Sequence, residues 1–365
     1  MTIEADQPVR YGIIGSGMMG IEHMLNVAAI GDAVVTAIAD PDGKSRHLAA
    51  KYGGAPEGLV PFESYRELLS SGLCDAVVVS TPNFTHIDVM LDLFAEAPDL
   101  HVLVEKPLCT TVADCRRLID AAEHHRGVVW VGLEYRYMPP VERLVRIVHD
   151  GTIGRPRMMA IREHRYPFLP KVGNWNRFSR NTGGTLVEKC CHFFDLMHHV
   201  LQATPVRVLA SGGQDVNHLD ENYDGEVPDI LDNAFVIVDF DSGARAVLDL
   251  CMFAEGSHEQ EELSVVGDLG KVEAFLPSSE VRLGLRAAGQ PGVERTIVHD
   301  PDVHYEGFHH GSSYLEHLDF VAAIRNGAAP GVTLQDGLLA VAVGVAAHRS
   351  IDEGRAVTLD EVLTP

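Results

Sequence analysis

Short apolar strands alternate with amphipathic helices over the first 135 residues, and this alternation constrains the fold more than any other feature of the chain. Apolar, strand-like segments begin near residues 9, 33, 75, 101 and 128, with helical segments between them. Strands without polar alternation are buried on both faces, as in parallel sheets that are covered by helices. We therefore predict βαβ units in this region, with binding groups at the carboxyl ends of the strands.

The pattern changes after residue 136, where most strand-like segments alternate in polarity and are joined by turns such as "DSG" and "DLG". Such alternation indicates antiparallel strands with one solvated face. Helices are predicted at 139–151, 183–202, 312–327 and 335–354, and the acidic stretch 215–232 is expected to be a solvated loop. The chain is thus predicted to be α/β, with one domain at 1–135 and a second, α+β domain at 136–365 that contains an open, mostly antiparallel sheet.

The charge of the chain excludes several classes of partner. Lys and Arg number 29 and Asp and Glu number 52, so the net charge is −23. Nucleic acid and anionic membranes would be repelled. No signal peptide is visible, no apolar run approaches the length of a membrane-spanning helix, and the six cysteines form no C-x-x-C pair. We expect a cytoplasmic protein with free thiols.

A glycine-rich turn follows the first predicted strand and opens the first predicted helix. It has the form G-x-G-x-x-G, which in this context is typical of dinucleotide binding. The first glycine permits a tight turn, the second lets a pyrophosphate approach the backbone, and the third lets helix and strand pack closely. The predicted cofactor contacts in this turn are Gly15, Ser16, Gly17, Met18, Met19 and Gly20.

Asp40 ends the second predicted strand, twenty residues beyond Gly20. A carboxylate at this position accepts hydrogen bonds from ribose hydroxyls and repels a 2′-phosphate, so NAD is favoured over NADP. The alternative is that Arg46 reaches a phosphate and permits NADP.

Two further polar segments follow buried strands, "STPNFTH" at 80–86 and "VEKP" at 104–107. Both are expected where a bound dinucleotide would cross the strand ends. Lys106 could hold a substrate hydroxyl or a developing oxyanion near the nicotinamide. The predicted cofactor contacts here are Ser80, Thr81, Pro82, Asn83, His86, Glu105 and Lys106.

The helix predicted at 183–202 carries "GGTLVEKCCHFFDLMHH". On one continuous helix Glu188, His192 and Asp195 share a face, because they are four and three residues apart. The carboxylate can orient the imidazole, and a histidine can take a proton from an alcohol near neutral pH. A zinc site is the alternative, but adjacent Cys190 and Cys191 point about 100° apart on a helix and cannot both face an ion bound by His192. We predict no metal.

Together, Gly15–Gly20, Asp40, "TPNFTH", "EKP" and "GGTLVEKCCHFFD" resemble the Gfo/Idh/MocA oxidoreductases, the group of glucose–fructose oxidoreductase and inositol dehydrogenase. The resemblance covers essentially the whole chain. It implies an N-terminal Rossmann domain and a C-terminal α+β domain whose open sheet often mediates dimers or tetramers.

The resemblance also implies roles for particular residues. The catalytic lysine of the family falls on Lys106 and its histidine on His192. The family acid falls on position 188, where this chain has Glu instead of the usual Asp, followed by an unusual Lys189. Trp175 matches a segment close to the nicotinamide. Substrate contacts are expected from Lys106, Glu188, His192, Asp195 and Arg177, with Tyr166, His304 and His310 as further candidates.

The leading hypothesis is an NAD-dependent dehydrogenase that oxidises a secondary hydroxyl of a cyclitol, sugar or glycoside, of the inositol 2-dehydrogenase or glycoside 3-dehydrogenase kind. An NADP-dependent reductase of a carbonyl or dihydrodiol is the alternative on the same fold. A non-enzymatic NAD-binding sensor is a third hypothesis from a different class, and turnover would distinguish it from an enzyme.

Overall fold

A computed structural model describes residues 7–54 and 56–364. The strands are β1 Val9–Ile14, β2 Ala33–Ala39, β3 Val60–Phe62, β4 Ala76–Val79, β5 His101–Glu105, β6 Val129–Gly132, β7 Pro156–His164, β8 Pro205–Gly213, β9 Asn233–Phe240, β10 Arg245–Cys251, β11 Glu261–Gly267, β12 Gly270–Leu276, β13 Glu280–Leu285, β14 Glu294–Ile297 and β15 Val357–Thr358.

The α-helices are α1 Met18–Ala29, α2 Gly43–Tyr52, α3 Tyr65–Ser70, α4 His86–Glu96, α5 Val112–Ala122, α6 Pro139–His149, α7 Ser179–Thr182, α8 Thr185–Glu188, α9 Cys191–Leu201, α10 Ser312–Asn326, α11 Leu334–Glu353 and α12 Asp360–Leu363. Short 3₁₀ helices cover Asn83–Thr85, Glu134–Tyr137, Val172–Arg177, Gln290–Gly292 and Gly307–His309. No helix in the described part of the chain is long and apolar enough to cross a membrane.

Contacts divide the chain into two compact units, Met1–Tyr137 with Pro301–Leu338 and Met138–Asp300 with Leu339–Pro365. The predicted boundary at residue 135 uses continuous ranges and does not anticipate that Pro301–Leu338, which contains α10, belongs with the first unit. The boundary itself stays a prediction.

The first unit contains a six-stranded sheet in the order β3-β2-β1-β4-β5-β6, and all of its neighbouring strands are parallel. Every residue of β4 and β5 is buried, which explains their uninterrupted apolar character. The order reverses between β1 and β4, so their carboxyl ends open the crevice in which ligands bind in such sheets. The predicted parallel βαβ architecture is confirmed.

The second unit contains a nine-stranded sheet in the order β14-β13-β12-β11-β7-β10-β9-β8-β15. Its neighbours are antiparallel except for β7 and β10, which run parallel. Alternate residues of β9 and β10 are buried, so the sheet has one packed face and one open face. The predicted mostly antiparallel α+β sheet is confirmed.

Candidate functional site

The glycine turn of the first unit has the geometry that each glycine was predicted to need. Gly15 has a φ of +92°, and a Cβ there would meet the backbone of Ser80 and Thr81 at 2.7 Å. A Cβ on Gly20 would lie 2.1 Å from the carbonyl oxygen of Gly15. Gly17 faces open space, with no described atom within 4 Å of where its Cβ would be. Side chains are thus excluded on the packed side of the turn, while its outer side admits a ligand close to the backbone.

The turn leads directly into α1, whose amino-terminal end is Gly17. No side chain of the described residues caps this end, so its N–H groups and the positive end of the helix dipole are directed outward. Met18, which is 39% exposed, and the half-buried Met19 follow at the rim. The Ser16 hydroxyl is buried and has no hydrogen-bond partner among the described residues. These are the features of an anion-binding turn.

Asp40 lies beside the glycine turn. Its Oδ2 accepts the Ser16 N–H at 2.8 Å, and its Oδ1 accepts the Asp42 N–H at 2.9 Å. Each carboxylate oxygen has a second lone pair that can accept from a ribose hydroxyl. Arg46 is engaged elsewhere, because its guanidinium donates to the Asp40 carbonyl and to Glu63 at 2.9 Å. The arrangement therefore favours a diol over a 2′-phosphate at this position.

The loop after β4 is tied to both neighbouring loops. Ser80 Oγ donates to the Gly15 carbonyl at 2.8 Å. His86 is fully buried, and its ring nitrogens lie 3.0 Å from the Thr81 carbonyl and 2.9 Å from the Pro107 carbonyl. Burial lowers the pKa of His86, although these carbonyls oppose the shift. The structure thus gives His86 a role in joining two loops, and its predicted contact with the cofactor stays a prediction.

Asn83 begins the 3₁₀ turn that precedes α4, after Pro82. The residue is 7% exposed, and its Nδ2 is buried without a hydrogen-bond partner among the described residues. Such an amide can serve a bound group, because an unsatisfied buried donor is costly. This position is consistent with the predicted cofactor contact.

Glu105 ends β5 and is held by residues that the sequence argument missed. Its Oε1 lies 2.8 Å from His23 Nε2, and its Oε2 accepts the Lys106 N–H at 3.1 Å. The other nitrogen of His23 lies 2.9 Å from His317 Nε2, and both rings are buried. Burial would raise the pKa of Glu105, but the His23 hydrogen bond and the neighbouring cationic groups lower it below its usual range. The carboxylate is therefore ionised beside the half-buried Lys106.

These features of the first unit fit NAD. The glycine turn and the amino-terminal end of α1 would hold the pyrophosphate, Asp40 the adenosine ribose, and the loops after β4 and β5 the remaining part of the cofactor. The cluster of glycines, the buried Ser16 hydroxyl and the Asn83 amide are the observations that support this fit.

The second unit carries Glu188, His192 and Asp195, all of which are buried. The single helix predicted over 183–202 is wrong, because the chain forms two helices: α8 ends at Glu188 and α9 begins at Cys191. Glu188 and His192 therefore do not share one continuous helix, and the helical-face argument does not place them. The two residues lie on either side of a tight turn, four positions apart in sequence, and their roles stay predictions.

Lys189 lies in the turn between these helices and is only 4% exposed. Its Nζ is 3.0 Å from Glu163 Oε1, to which Arg165 Nη1 also donates at 3.2 Å. Glu163 stands opposite Glu261 in the pairing of β7 with β11. The sequence argument singled out Lys189 but missed this buried cluster, because its members come from separate strands.

Arg177 ends a 3₁₀ helix that starts at Val172 and contains the half-buried Trp175. Arg177 is 2% exposed, its Nε donates to Glu221 Oε2 at 2.9 Å, and its buried Nη1 has no hydrogen-bond partner among the described residues. Glu221 also accepts from Tyr223 at 2.8 Å and contacts His218 at 2.8 Å. A buried guanidinium nitrogen of this kind can donate to a ligand oxygen or to water.

The acidic stretch 215–232 was expected to be a solvated loop, and this is wrong for its anchoring residues. Asp232 is 2% exposed and accepts the backbone N–H groups of Asp215, Val216 and Asn217 at 3.1, 2.7 and 2.7 Å. Burial raises the pKa of Asp232, but these donors outweigh burial and lower it overall. The Asp232 carboxylate therefore holds the two ends of this loop together.

Of the three further substrate candidates, Tyr166 and His304 are exposed and His310 is half-buried. Tyr166 is 40% exposed beneath the Arg165 guanidinium, and His304 contacts the Tyr314 hydroxyl at 3.2 Å. Burial lowers the pKa of His310. No group of three or more His, Cys, Asp or Glu residues in the described chain is arranged to hold a metal ion.

Two family models match the chain along most of its length. Residues 9–133 match the oxidoreductase family with an NAD-binding Rossmann fold, and residues 146–359 match the C-terminal alpha/beta domain of the same oxidoreductase family.

Known relatives match the chain over nearly its full length. The myo-inositol 2-dehydrogenase of Thermotoga maritima is 30% identical, with 97% of this chain and 100% of that protein covered. The scyllo-inositol 2-dehydrogenase (NAD(+)) of Bacillus subtilis is 26% identical, with 97% of each chain covered.

Solved structures show the same fold. A probable dehydrogenase from Thermotoga maritima superposes with a TM-score of 0.77 at 27% identity, with 97% of this chain and 100% of that chain covered. A levoglucosan dehydrogenase, solved with NADH and levoglucosan, superposes with a TM-score of 0.83 at 20% identity, over 97% of this chain and 100% of that one.

Proposed function

The chain belongs to the Gfo/Idh/MocA oxidoreductase family, and from this premise we propose that it oxidises a secondary hydroxyl of a cyclitol, sugar or glycoside. It is an oxidoreductase that acts on CH–OH groups and uses NAD. The observation that carries the substrate class is the full-length similarity to proteins named as inositol 2-dehydrogenases. Buried carboxylates such as Glu188 and Asp195 support this class, because a polyol offers many hydroxyl donors to carboxylate oxygens.

In the proposed reaction the substrate loses a proton from its hydroxyl and a hydride from the same carbon. NAD, when bound, supplies the acceptor for the hydride. His192 takes the hydroxyl proton, which suits an imidazole near neutral pH. Lys106 binds the hydroxyl oxygen and stabilises the negative charge that develops on it. Glu188 orients His192 or a neighbouring substrate hydroxyl, and Arg177, Asp195 and Trp175 contribute to the binding of substrate and cofactor.

The decisive experiment is a panel of inositols, aldoses and glycosides assayed for NAD reduction, with the parent and His192→Ala compared on each active substrate. We expect turnover by the parent and a loss of about 10²-fold or more in kcat for the variant, because the general base is gone. Near-normal turnover by the variant would rule out the assignment of His192. Binding of NAD without turnover across the panel would favour the sensor hypothesis instead.

The NADP-dependent reductase is tested by titrating each cofactor separately. The Asp40 carboxylate and the engagement of Arg46 by Glu63 support a preference for NAD. Tighter binding of NADP than of NAD would contradict this part of the proposal.

We also propose that the protein forms a homodimer or homotetramer through the nine-stranded sheet. Clusters of large exposed apolar side chains mark interfaces. The open face of this sheet carries such a cluster, formed by Met158, Leu209, Phe235, Ile237 and Val266. Light scattering that reports a monomer at micromolar concentration would contradict this. None of the described cysteines forms a disulfide, which supports the proposed cytoplasmic location, and fractionation of the native protein tests it.

A further inference from the structure

Lys189 occupies the interruption between α8 and α9. The carboxylate proposed to orient the base, Glu188, is the last residue of α8, and the proposed base, His192, is the second residue of α9. The relative position of these two residues therefore depends on the turn formed by Lys189 and Cys190, and not on the repeat of a single helix.

The two helices have anchors of their own on either side of this turn. At the start of α8, Thr185 Oγ1 donates to the Leu231 carbonyl at 2.5 Å, and the Leu186 N–H is bound by His348 Nε2 at 3.1 Å. In the first turn of α9, the Phe193 N–H donates to the Cys190 carbonyl at 2.9 Å. Neither set of bonds joins the turn itself to the sheet.

The Lys189 side chain makes that connection. Its Nζ lies 3.0 Å from Glu163 Oε1, and Glu163 is at the carboxyl end of β7. The Lys189 side chain is 5% exposed and that of Glu163 is fully buried. The ammonium also stands 5.5 Å from the centre of the Phe193 ring, within cation–π range. One buried side chain thus links the turn to the central strand of the sheet and to α9.

The buried charges of this link are expected to lower the stability of the fold. Glu163 and Glu261 face each other across two paired strands, and both are buried. Two carboxyl groups buried opposite each other can both ionise only with a loss of stability, and a buried ion pair seldom stabilises a fold better than apolar residues would. Buried charged groups of this kind are concentrated at functional sites, and this cluster lies directly beside two proposed active-site residues. We therefore attribute it to function and not to stability.

We propose that Lys189, held by Glu163, is a positioning residue that sets the placement of Glu188 relative to His192. The inference rests on the proposed roles of those two residues. The Lys189 N–H donates to the Thr185 carbonyl at 2.9 Å as in a helix, and the ion pair adds a side-chain connection from the turn to β7, which explains why a lysine follows Glu188 in this chain. Lys189 itself transfers no proton and contacts no reacting atom in this proposal.

The test uses Lys189→Met, Glu163→Gln and the double variant in the full chain. Each single variant removes the attraction between Lys189 and Glu163 while one of the two charges stays buried, and it is expected to lower Tm, whereas the double variant removes both charges and regains stability. If the pair positions Glu188 and His192, kcat of the double variant stays at least about tenfold below that of the parent, because small misplacements of catalytic groups are costly. KM for NAD is expected to be unchanged.

Two further variants calibrate this result. Lys189→Arg keeps the cation and is expected to turn over closer to the parent than Lys189→Met does. Lys271→Met removes the partly exposed cation that lies 2.6 Å from Glu273 in the same unit, and it is expected to leave kcat unchanged. A double variant that regains both Tm and kcat would overturn the proposal, because the pair would then serve stability alone.

Hydrogen exchange separates this proposal from the proposed function. In the double variant the amides between residues 186 and 194 are expected to exchange faster than in the parent, with other segments unchanged. This readout needs no substrate, so it decides the proposal even if the parent oxidises no member of the polyol panel. Equal exchange in the parent and the double variant would show that the ion pair does not hold the turn.

Discussion

Glu105 and Glu261 are both buried carboxyl groups at the end of a strand, one in each unit, yet their pKa values shift in opposite directions. Glu105 closes β5 in the first unit, and its pKa falls from the usual 4.5 to about 2. Glu261 opens β11 in the second unit, and its pKa rises from 4.5 to about 7. Burial alone would raise both, so the neighbours of each carboxylate decide the outcome.

The neighbours differ in charge and in hydrogen bonding. Glu105 receives the His23 ring at 2.8 Å and the Lys106 N–H at 3.1 Å, and both favour the ionised form. Burial raises the pKa of Glu261, and the Glu163 carboxylate opposite raises it further, while Lys189, Gln260 and Arg165 offset only part of the shift. The surroundings of Glu105 therefore stabilise a buried negative charge, whereas those of Glu261 favour a bound proton.

The largest expected effect is that of Glu105→Gln. A folded-state pKa below 4.5 means that Glu105 contributes stability above pH 4.5, and that this stability is lost as the pH falls toward 2. At pH 7.5 the shift corresponds to about 3 kcal/mol, and the variant also leaves the Lys106 N–H without its carboxylate acceptor. Urea denaturation at pH 7.5 should show a loss of about that size.

The matched control for this variant is Glu96→Gln in the same unit. Glu96 is half-exposed and paired with Arg66 at 2.6 Å, so its loss should cost less than about 1 kcal/mol. Equal losses in the free energy of unfolding of the two variants would mean that His23 and the Lys106 N–H do not stabilise the negative charge of Glu105.

The opposite sign is expected for Glu261→Gln. Because the folded-state pKa is raised, the stabilising proton is present below pH 4.5 and the penalty grows as the pH rises from 4.5 to about 7. Glutamine cannot ionise, so the variant should be more stable than the parent by about 3 kcal/mol at pH 8 and by less than about 1 kcal/mol at pH 5. Denaturation curves at the two pH values measure this difference.

Glu273→Gln on the neighbouring strand β12 is the control for Glu261→Gln, since Glu273 pairs with the partly exposed Lys271. Its effect should be small at both pH values. A destabilising effect of Glu261→Gln at pH 8 would contradict this interpretation of Glu261. It would mean that the ionised Glu261 is stabilised by Lys189 and Arg165 together with Glu163.

The contrast between the units also explains which parts of the site could be predicted from sequence. The glycine turn and Asp40 were predicted because their roles depend on local spacing within one βαβ unit, and the structure places them together. His23 and His317 were missed because they are 294 positions apart, and no local pattern joins them. The only signal was a histidine on the buried face of α1.

The second unit was harder for a related reason. The apolar and polar periodicity of 183–202 continues through the break at Lys189, so the pattern predicts one helix where two exist. The partner of Lys189 lies on β7, and the cross-strand pairing that brings Glu261 opposite Glu163 is a property of the sheet register. The periodicity of the sequence likewise gives no indication that Pro301–Leu338 belongs to the first unit.

The half-buried His348 provides the smallest and most specific test of the comparison, because its charged form is positive and the loss of solvent around the ring shifts its pKa in the opposite direction. Burial lowers the pKa of His348 from 6.5 to about 4, against the opposing charge of Asp352. The neutral ring binds the Leu186 N–H at 3.1 Å at the start of α8. Its contribution is therefore complete above pH 6.5 and is lost as the pH falls toward 4.

At pH 5 this shift corresponds to about 2 kcal/mol of lost stability in the parent. His348→Gln keeps an acceptor for the Leu186 N–H but cannot be protonated, so the free energy of unfolding of the variant should fall less than that of the parent between pH 7.5 and pH 5. His258→Gln, at a 93% exposed side chain, should follow the parent at both pH values. If His348→Gln and the parent lose the same free energy of unfolding on acidification, the His348 ring is not held neutral. Burial would then not control the protonation of His348 as it is inferred to control that of Glu261.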